Sequence, residues 1–309
     1  MVSIILPTYN RSKYIRESID SILAQTFHDW ELIVIDDCSS DETYSIVKEY
    51  AKSDGRISIL RNDKHIKLPA SLNKGFAAAK GEYLTWTSDD NIYKPKALER
   101  LVQAFDREEI GLVFSAMDII NANGKIIGCS KKNKLEDLHF RNIIGGSFMY
   151  TRRAYQLVGE YDTNMLLVED FDYWIRIARH FALKYVDESL YLYRIHEESL
   201  SETMRIQVLR AKVKLLKREI YFIDKNNDSL LAKMYREAAY VAFDLRDYKL
   251  LHEYTKKIKS LSGGAVKLPL ILLLSDTLGE KAMLCLSNVK RQARAVLWKY
   301  RGLRTQDCL

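Results

Sequence analysis

Two neighbouring aspartates, Asp89 and Asp90, follow the apolar run in the stretch LTWTSDDNIYKP, residues 84–95. Two unit charges about 4 Å apart repel each other by about 4 kcal/mol at an effective dielectric constant of 20. A half-buried turn can keep both carboxylates only if a positive partner balances them. A lysine, a helix N-terminus or a metal ion would each serve, and a metal ion would indicate an enzyme.

Two other polar stretches also follow apolar runs that predict strands: residues 7–10 (PTYN) and residues 36–37 (DD). Ligands of open α/β sheets bind beyond the carboxyl ends of the strands, so we expect these groups to share one edge. The sequence has no GxGxxG after its first strand and no P-loop motif, which argues against dinucleotide and P-loop enzymes. Carboxylates at such an edge can accept base and ribose hydrogens or hold a divalent cation.

Alternating strand and helix patterns must position these groups. Short apolar runs predict buried strands at 2–6, 30–35, 57–60 and 83–86. Helices are predicted between them, with Ser39 and Glu42 as a capping box for the second helix and Pro95 in the first turn of the fourth. The order βαβαβαβα predicts an α/β fold with a mostly parallel sheet covered on both faces.

The pattern changes after residue 115. Asn123-Gly124 between two apolar runs predicts a β-hairpin. A helix through EDFDYWIRIARHF and a strand at 190–195 are predicted next, and only helical patterns follow residue 203, including a packed pair around residues 238–254.

The net charge and the cysteine content limit the classes of partner and the compartment that we expect for this protein. The net charge is +7 and the sequence pI is near 9.0, with basic residues crowded at the C-terminus. This indicates an anionic partner, and the absence of zinc-finger and aromatic-interleaved RNA motifs disfavours nucleic acid. Four scattered cysteines fit a reducing compartment. We therefore expect a cytoplasmic protein that can contact the inner face of the cell membrane.

Six motifs occur in the order and spacing of a known family: IILPTYNR, IDDCSSDET, GEYLTWTSDDN, GGSFMYTRRAYQLVGEYD, EDFDYWIR and YRIHEESLS. Together they resemble a non-processive, bacterial-type family 2 glycosyltransferase with the GT-A fold. The resemblance covers residues 2–201. It implies a catalytic domain at 1–203, with a nucleotide-binding half at 1–115 and an acceptor half at 116–203, followed by a helical extension at 204–309.

The resemblance implies a role for each motif residue. The donor nucleotide would contact Pro7, Tyr9, Asp37, Asn73 and Asp89. Mg²⁺ or Mn²⁺ would be held by Asp90 and His196, and would neutralise the aspartates together with the diphosphate of the donor. Asp170 would be the general base.

Each assignment has a structural alternative. Asp89 would otherwise cap the following turn, His196 would be an ordinary structural histidine, and Asn73 would serve helix packing. Both acids of the Glu169-Asp170 pair also suit a helix N-terminus; we assign structure to Glu169 and catalysis to Asp170.

The resulting hypothesis is an inverting, metal-dependent transfer of one sugar from a nucleotide-diphosphate donor, with a UDP-sugar favoured, to a glycan or lipid-linked acceptor in polysaccharide synthesis. A nucleotidyltransferase and a non-catalytic sugar- or membrane-binding module are the alternatives. Release of free nucleoside diphosphate from sugar nucleotides with Mn²⁺ discriminates among them.

The basic tail, residues 265–304, carries a second hypothesis. Its leucines and its Lys and Arg residues could dock on an anionic membrane, at about 1 kcal/mol for each basic residue. The alternative is that the leucines pack on the catalytic domain or on a second subunit, which would make a homo-oligomer. Liposome co-sedimentation of the full chain against a chain ending at Ser262, at low and high salt, tests the hypothesis; equal recovery of the two would contradict docking.

Overall fold

Nine strands form one mixed sheet in the computed structural model of this chain, which describes residues 1–130 and 132–262. The predicted membrane-docking tail lies outside the described residues. The strands are β1 (Val2–Thr8), β2 (Trp30–Asp36), β3 (Ile57–Arg61), β4 (Tyr83–Trp86), β5 (Ile92–Tyr93), β6 (Ile110–Ile120), β7 (Ile126–Cys129), β8 (Phe148–Thr151) and β9 (Ala182–Arg194).

Ten α-helices accompany the sheet among the described residues. Six precede β9 and four follow it, and 3-10 helices at Leu135–His139 and Thr163–Met165 add single turns. The helices are α1 (Ile15–Leu23), α2 (Thr43–Ser53), α3 (Leu68–Ala78), α4 (Ala97–Gln103), α5 (Arg152–Val158), α6 (Glu169–Ala178), α7 (Leu200–Thr203), α8 (Arg205–Phe222), α9 (Asp228–Leu245) and α10 (Tyr248–Ser262).

The strand order is β3-β2-β1-β4-β8-β6-β9-β5, with β7 added to β6. Strands β1 to β4 are parallel to one another, as predicted. β8 runs antiparallel between β4 and β6, whereas β9 is parallel to β6, so the other half of the sheet is mixed. In the register, Thr8 lies beside Asp36, and Ile5 lies beside Trp86 at the end of β4. The polar stretches after β1, β2 and β4 therefore meet at one edge.

Apolar periodicity explains the main core. Ile4, Leu6, Leu32 and Val34 of β1 and β2 are fully buried, because both sheet faces are covered. The helix predicted after the first strand is confirmed as α1, and its Ile15, Ile19 and Ile22 are buried against this core. The predicted hairpin is also confirmed: β6 and β7 pair antiparallel, and Gly124 in their turn has φ +78°.

Three boundary predictions are wrong. Ser39 does not form the capping box, since α2 begins at Thr43 and no side chain caps it at Glu42. The Ser39 hydroxyl instead accepts the backbone N–H of Asn10 at 3.0 Å. Pro95 precedes α4 by two residues, and its carbonyl accepts the N–H of Thr26 at 2.9 Å. β9 begins eight residues before the predicted strand, because its pairing with β6 continues through a polar, bulged segment. In each case a distant partner outweighs the local pattern.

The chain divides into two compact units. Among the described residues, the first contains residues 1–130, 132–135 and 142–196, and the second contains residues 136–141 and 197–262. In the second unit, the predicted α9–α10 pair is confirmed: Ala238, Ala242, Leu251 and Tyr254 are buried in one core. Among the described residues, no helix is long and apolar enough to cross a membrane.

Candidate active site

The acidic turn after β4 lies at the shared strand edge, in the first unit. Asp89 is 8% exposed, and Nε of Arg11 lies 3.7 Å from its Oδ1. Burial and the charge of Asp90 raise the pKa of Asp89, while hydrogen bonds from Thr8 and Tyr9 and the charge of Arg11 oppose that shift. Arg11 is thus a nearby cation that faces Asp89, and at 3.7 Å it compensates the charge of the acidic pair only in part.

Asp90 is paired with His196. Oδ2 of Asp90 lies 3.0 Å from Nε2 of His196, which is buried just beyond the end of β9. The imidazole also packs against the Tyr14 ring, with ring centroids 4.9 Å apart. Two predicted metal ligands that are 106 residues apart in sequence therefore share one hydrogen bond.

Asp90 and His196 are suitable ligands for a divalent cation whose remaining ligands would come from substrate and water. Carboxylate oxygen and imidazole nitrogen both suit Mn²⁺, and a carboxylate suits Mg²⁺. Among residues 1–130 and 132–262, no group of three or more His, Cys, Asp or Glu side chains is arranged to enclose a metal. Such cations are commonly held by one or two protein groups plus substrate phosphates and water, which agrees with a site that Asp90 and His196 supply only in part.

Arg194 fixes the backbone of this turn. Its buried guanidinium donates through Nε to the carbonyl of Asp90 at 2.8 Å and through a terminal nitrogen to Oε2 of Glu17 at 2.5 Å. A further contact reaches the carbonyl of Ala122 at 3.0 Å. A planar guanidinium with five donors can join three segments in this way, so Arg194 links the end of β9 to α1 and to the acidic turn.

Asp37 lies beyond β2, where the nucleotide base is predicted. Its carboxylate accepts the backbone N–H groups of Ile66 and Lys67 and the side-chain amide of Asn62, each at 2.8 Å. Nδ1 of His65 lies 2.8 Å from Oδ2 of Asp37. The carboxylate is therefore fixed in place mainly by the loop after β3.

Tyr9 and His65 form an exposed aromatic pair at the same edge. Their rings are stacked with centroids 4.1 Å apart, and Tyr9 is 43% exposed. Pro7 is in β1, beside Ile35 of β2. Asn73 has a different setting: its amide exchanges two hydrogen bonds of 2.9 Å with the backbone of Tyr161. Both ends of the Asn73 amide thus join α3 to the segment that precedes α6.

Asp170 is the second residue of α6. Its Oδ1 accepts the N–H of Phe171 at 2.7 Å, and its Oδ2 accepts the side-chain amide of Asn142 at 2.6 Å. Burial raises the pKa of Asp170, and these two hydrogen bonds oppose the rise. The hydroxyl of the buried Tyr161 accepts the indole N–H of Trp86, at the end of β4, at 3.1 Å. Burial raises the pKa of Tyr161, and the charges of Tyr173 and Asp170 add to that rise.

Glu169 is buried beside Asp170. Backbone N–H groups, including that of Leu167, hydrogen-bond to its carboxyl, and its Oε2 has no partner within the described part of the chain. Leu167 has a φ of +75°, a left-handed conformation that costs a residue with a Cβ free energy. Burial, followed by the charge of Asp170, raises the pKa of Glu169. The arrangement supports a structural role for Glu169, which holds the strained turn that leads into α6.

The substitution Glu169→Gln is expected to flatten the dependence of stability on pH. The ordinary pKa of a glutamate is about 4.3, and folding raises it. Above that pH the folded protein therefore binds more protons than the unfolded chain, so the stability of the wild type falls as the pH rises toward the raised pKa. We expect the drop in Tm between about pH 5 and about pH 9 to shrink by several degrees, at roughly 2–4 °C for each kcal/mol. Equal drops in thermal melts of the two proteins would show that Glu169 is ionised in the folded state.

Three residues that take part in the candidate site were not predicted from the sequence. His65 follows the carboxyl end of β3, so the strand-end rule applied to the other strands would have found it. Arg194 stands inside the YRIHEESLS motif but was not assigned a role. Asn142 lies between the third and fourth quoted motifs, where no local pattern marks it.

A cavity of about 370 Å³ lies elsewhere in the molecule. Glu82, Phe105, Asp106, Thr151 and Arg152 are among its lining residues. These positions belong to the amino ends of β4 and β6 and the carboxyl end of β8, which is antiparallel to β4. The cavity therefore opens at the sheet edge opposite to the candidate site and contains none of its residues.

Residues 3–171, more than half of the chain, match the family model described as glycosyl transferase family 2. This chain belongs to that family. The match includes every proposed site residue except His196, and it confirms the resemblance drawn from the six motifs.

Several relatives of this glycosyltransferase are similar over most of its length. An uncharacterized glycosyltransferase of Methanocaldococcus jannaschii is 32% identical over 209 residues, which cover 63% of this chain and 71% of the relative. An uncharacterized glycosyltransferase of Haemophilus influenzae is 31% identical over 244 residues, covering 73% of this chain and 75% of the relative. The putative teichuronic acid biosynthesis glycosyltransferase TuaG of Bacillus subtilis is 27% identical over 207 residues, covering 65% and 81%.

Solved structures confirm the GT-A fold. S. aureus TarS 1-349 in complex with UDP-GlcNAc matches with a TM-score of 0.69 at 17% identity, covering 94% of this chain and 92% of that one. The mannosyltransferase PcManGT from Pyrobaculum calidifontis, in complex with GDP-Man and Mn²⁺, matches with a TM-score of 0.64 at 18% identity, covering 99% and 88%. This glycosyltransferase spans 52% of the longer TarS chain. At these identities the likeness shows the fold alone.

Proposed function

We propose that this glycosyltransferase moves one sugar from a nucleotide-diphosphate donor to an acceptor hydroxyl, with inversion at the anomeric carbon. The observation that carries the proposal is the Asp90–His196 pair, 3.0 Å apart beside the buried Asp89 at the carboxyl-end edge of the strands. This edge is where an open α/β sheet binds its ligands. A carboxylate and an imidazole there suit a cation that would also bind a diphosphate.

The residues would divide the reaction between them. Asp90 and His196 would hold Mn²⁺ or Mg²⁺, which when bound supplies Lewis-acid stabilisation of the leaving diphosphate. Asp170 would take the proton of the acceptor hydroxyl as this hydroxyl attacks the anomeric carbon. The raised pKa of Asp170 suits a base, since proton transfer is most efficient when the pKa of the base lies near the working pH. A single base and a direct displacement give inversion.

The donor base would lie at the Asp37 end of the edge, between Pro7 and the Tyr9–His65 pair. A base N–H would compete with His65 for Asp37, because His65 is the half-exposed partner, with 45% of its side chain accessible, whereas the other donors are backbone groups and the buried Asn62. Asp89 would lie near the ribose. Asn73 would act through Tyr161, since both ends of its amide are engaged there.

The donor and acceptor follow from chemistry and from the relatives. TarS is seen with UDP-GlcNAc and PcManGT with GDP-Man, so both nucleotides belong in a donor screen; we favour a UDP-sugar. TuaG is named for teichuronic acid biosynthesis, which supports a growing surface polysaccharide or its lipid-linked precursor as the acceptor.

Incubation with a panel of UDP-, GDP- and dTDP-sugars and Mn²⁺ tests the proposal. We expect one donor to raise the melting temperature and to release free nucleoside diphosphate, and chelation with EDTA to suppress the release. Release of pyrophosphate from a nucleoside triphosphate would instead indicate a nucleotidyltransferase. Donor binding with no turnover in the presence of candidate acceptors would favour a sugar-binding module.

A further inference from the structure

Both ends of the Asn142 side-chain amide make hydrogen bonds, to backbone donors at its oxygen and to a carboxylate acceptor at its nitrogen. Its Oδ1 faces the backbone N–H groups of Ile144 at 3.3 Å and Gly145 at 3.5 Å. Its Nδ2 donates to Oδ2 of Asp170 at 2.6 Å. A side-chain amide has one accepting end and one donating end. The turn that engages the oxygen of Asn142 therefore aims its nitrogen at the carboxylate.

The turn formed by residues 142–146 is tightly packed against β6. Gly145 has a φ of +68°, and a Cβ added there would lie 2.4 Å from Cε of Met117. The N–H of Gly146 meets the sulfur of Met117 at 3.2 Å. The direction of the Asn142 amide thus depends on a backbone conformation that glycine permits, in a turn that packs against Met117 of β6.

The contact has a defined electrostatic consequence. A hydrogen bond donated to a carboxylate favours its charged form and lowers its pKa, whereas burial has the opposite effect. At Asp170, burial raises the pKa, and the hydrogen bonds from Phe171 and Asn142 oppose it. The bond from Phe171 comes from the backbone of the same helix, so the bond from Asn142 is the one that a side-chain substitution can remove.

We propose that Asn142 is a positioning residue for the Asp170 base, whose carboxylate it orients toward the acceptor hydroxyl through its amide Nδ2. This inference rests on the proposed role of Asp170. Asn142 uses one lone pair of Oδ2, and the remaining lone pairs of the carboxylate accept the proton. Without the amide, the carboxylate loses one of the hydrogen bonds that oppose the rise of its pKa, so the pKa of Asp170 moves further upward.

The pH profile of kcat for sugar transfer tests this role, since its acid limb reports the ionisation of the base in the enzyme–substrate complex. In Asn142→Ala, we expect the midpoint of the acid limb to move upward by about one to two pH units, the size expected when a hydrogen bond to a charged group is lost. Asn142→Asp keeps an oxygen for the turn but places a second carboxylate against Asp170. Its midpoint is expected to move further upward, because like charges disfavour ionisation.

Asn226→Ala is the matched control, since Asn226 is exposed and lies outside the site. A residue that only stabilised the loop would lower kcat at every pH and leave the midpoint in place. Unmoved midpoints in the Asn142 variants would overturn the proposal. If Asn142→Ala does not fold, as judged by thermal melting, Asn142→Asp decides alone. An inactive Asp170→Asn combined with unmoved midpoints would refute only the role of Asn142, whereas an active Asp170→Asn would refute the proposed base itself.

Discussion

Asp170→Asn is expected to lower kcat for sugar transfer by about 10²–10⁴-fold, the usual contribution of a general base. The asparagine amide cannot accept the proton of the acceptor hydroxyl. Its shape is nearly that of the carboxylate, and its oxygen can still accept the N–H of Phe171, while its NH2 group replaces the Oδ2 that accepts the Asn142 amide, so that one hydrogen bond is lost. Donor binding and the fold should therefore persist. Steady-state kinetics with the donor found in the screen, together with thermal melting, measure both effects.

Glu169→Gln is the matched control for this experiment. It removes a carboxyl group from the same helical turn, but the structure supports a protonated, structural Glu169 beside the base. We expect Glu169→Gln to transfer sugar at near the wild-type rate at neutral pH. A near wild-type kcat in Asp170→Asn, with an unchanged donor KM, would mean that the proton goes to another group.

Asp90→Ala is expected to abolish metal-dependent donor binding. The variant removes one of the two proposed protein ligands, and loss of groups that merely support metal ligands already costs about 10–100-fold in metal affinity. The carbonyl of Asp90 remains available to Arg194, so the turn after β4 should keep its position. Titration calorimetry with UDP in the presence and absence of Mn²⁺ measures the loss.

A matched control for Asp90→Ala is Asp106→Ala, which also removes a carboxylate but at an exposed ion pair with Lys184. This control should bind UDP with the affinity of the wild type and with the same response to Mn²⁺. If Asp90→Ala still bound UDP in a metal-dependent way and with unchanged affinity, the cation would have to lie elsewhere, and the acidic pair would have a capping role.

Local sequence patterns were sufficient to predict most of the strands and helices. Strands β1 to β4 and helices α1, α3 and α6 follow from hydrophobic periodicity, which depends on residues only a few positions apart. The capping box at Ser39 failed for the same reason: the pattern counts only neighbours, whereas the Ser39 hydroxyl is engaged by Asn10, 29 residues earlier. The mixed half of the sheet was harder to predict from the sequence. The position of β8, antiparallel between β4 and β6, depends on pairing between residues far apart in the chain.

Family membership, the types of the chemical groups and their placement at strand ends all follow from the order of residues in the chain. Asp37, Asp89 and Asp90 follow apolar runs that predict strands, and Asp170 lies at the start of a predicted helix. Order and spacing of motifs are properties of the chain, so they could be recognised without coordinates.

The partner of each charged group depends on folding. The folded chain pairs Asp90 with His196 across 106 residues and Asp170 with Asn142 across 28 residues, and it turns the amide of Asn73 to Tyr161 across 88 residues. It also buries Glu169 without a partner for its Oε2 within the described chain. The pKa of a carboxyl group depends on burial, on hydrogen bonds and on charges within a few ångströms. Folding sets those distances between segments whose separation in sequence carries no information about them.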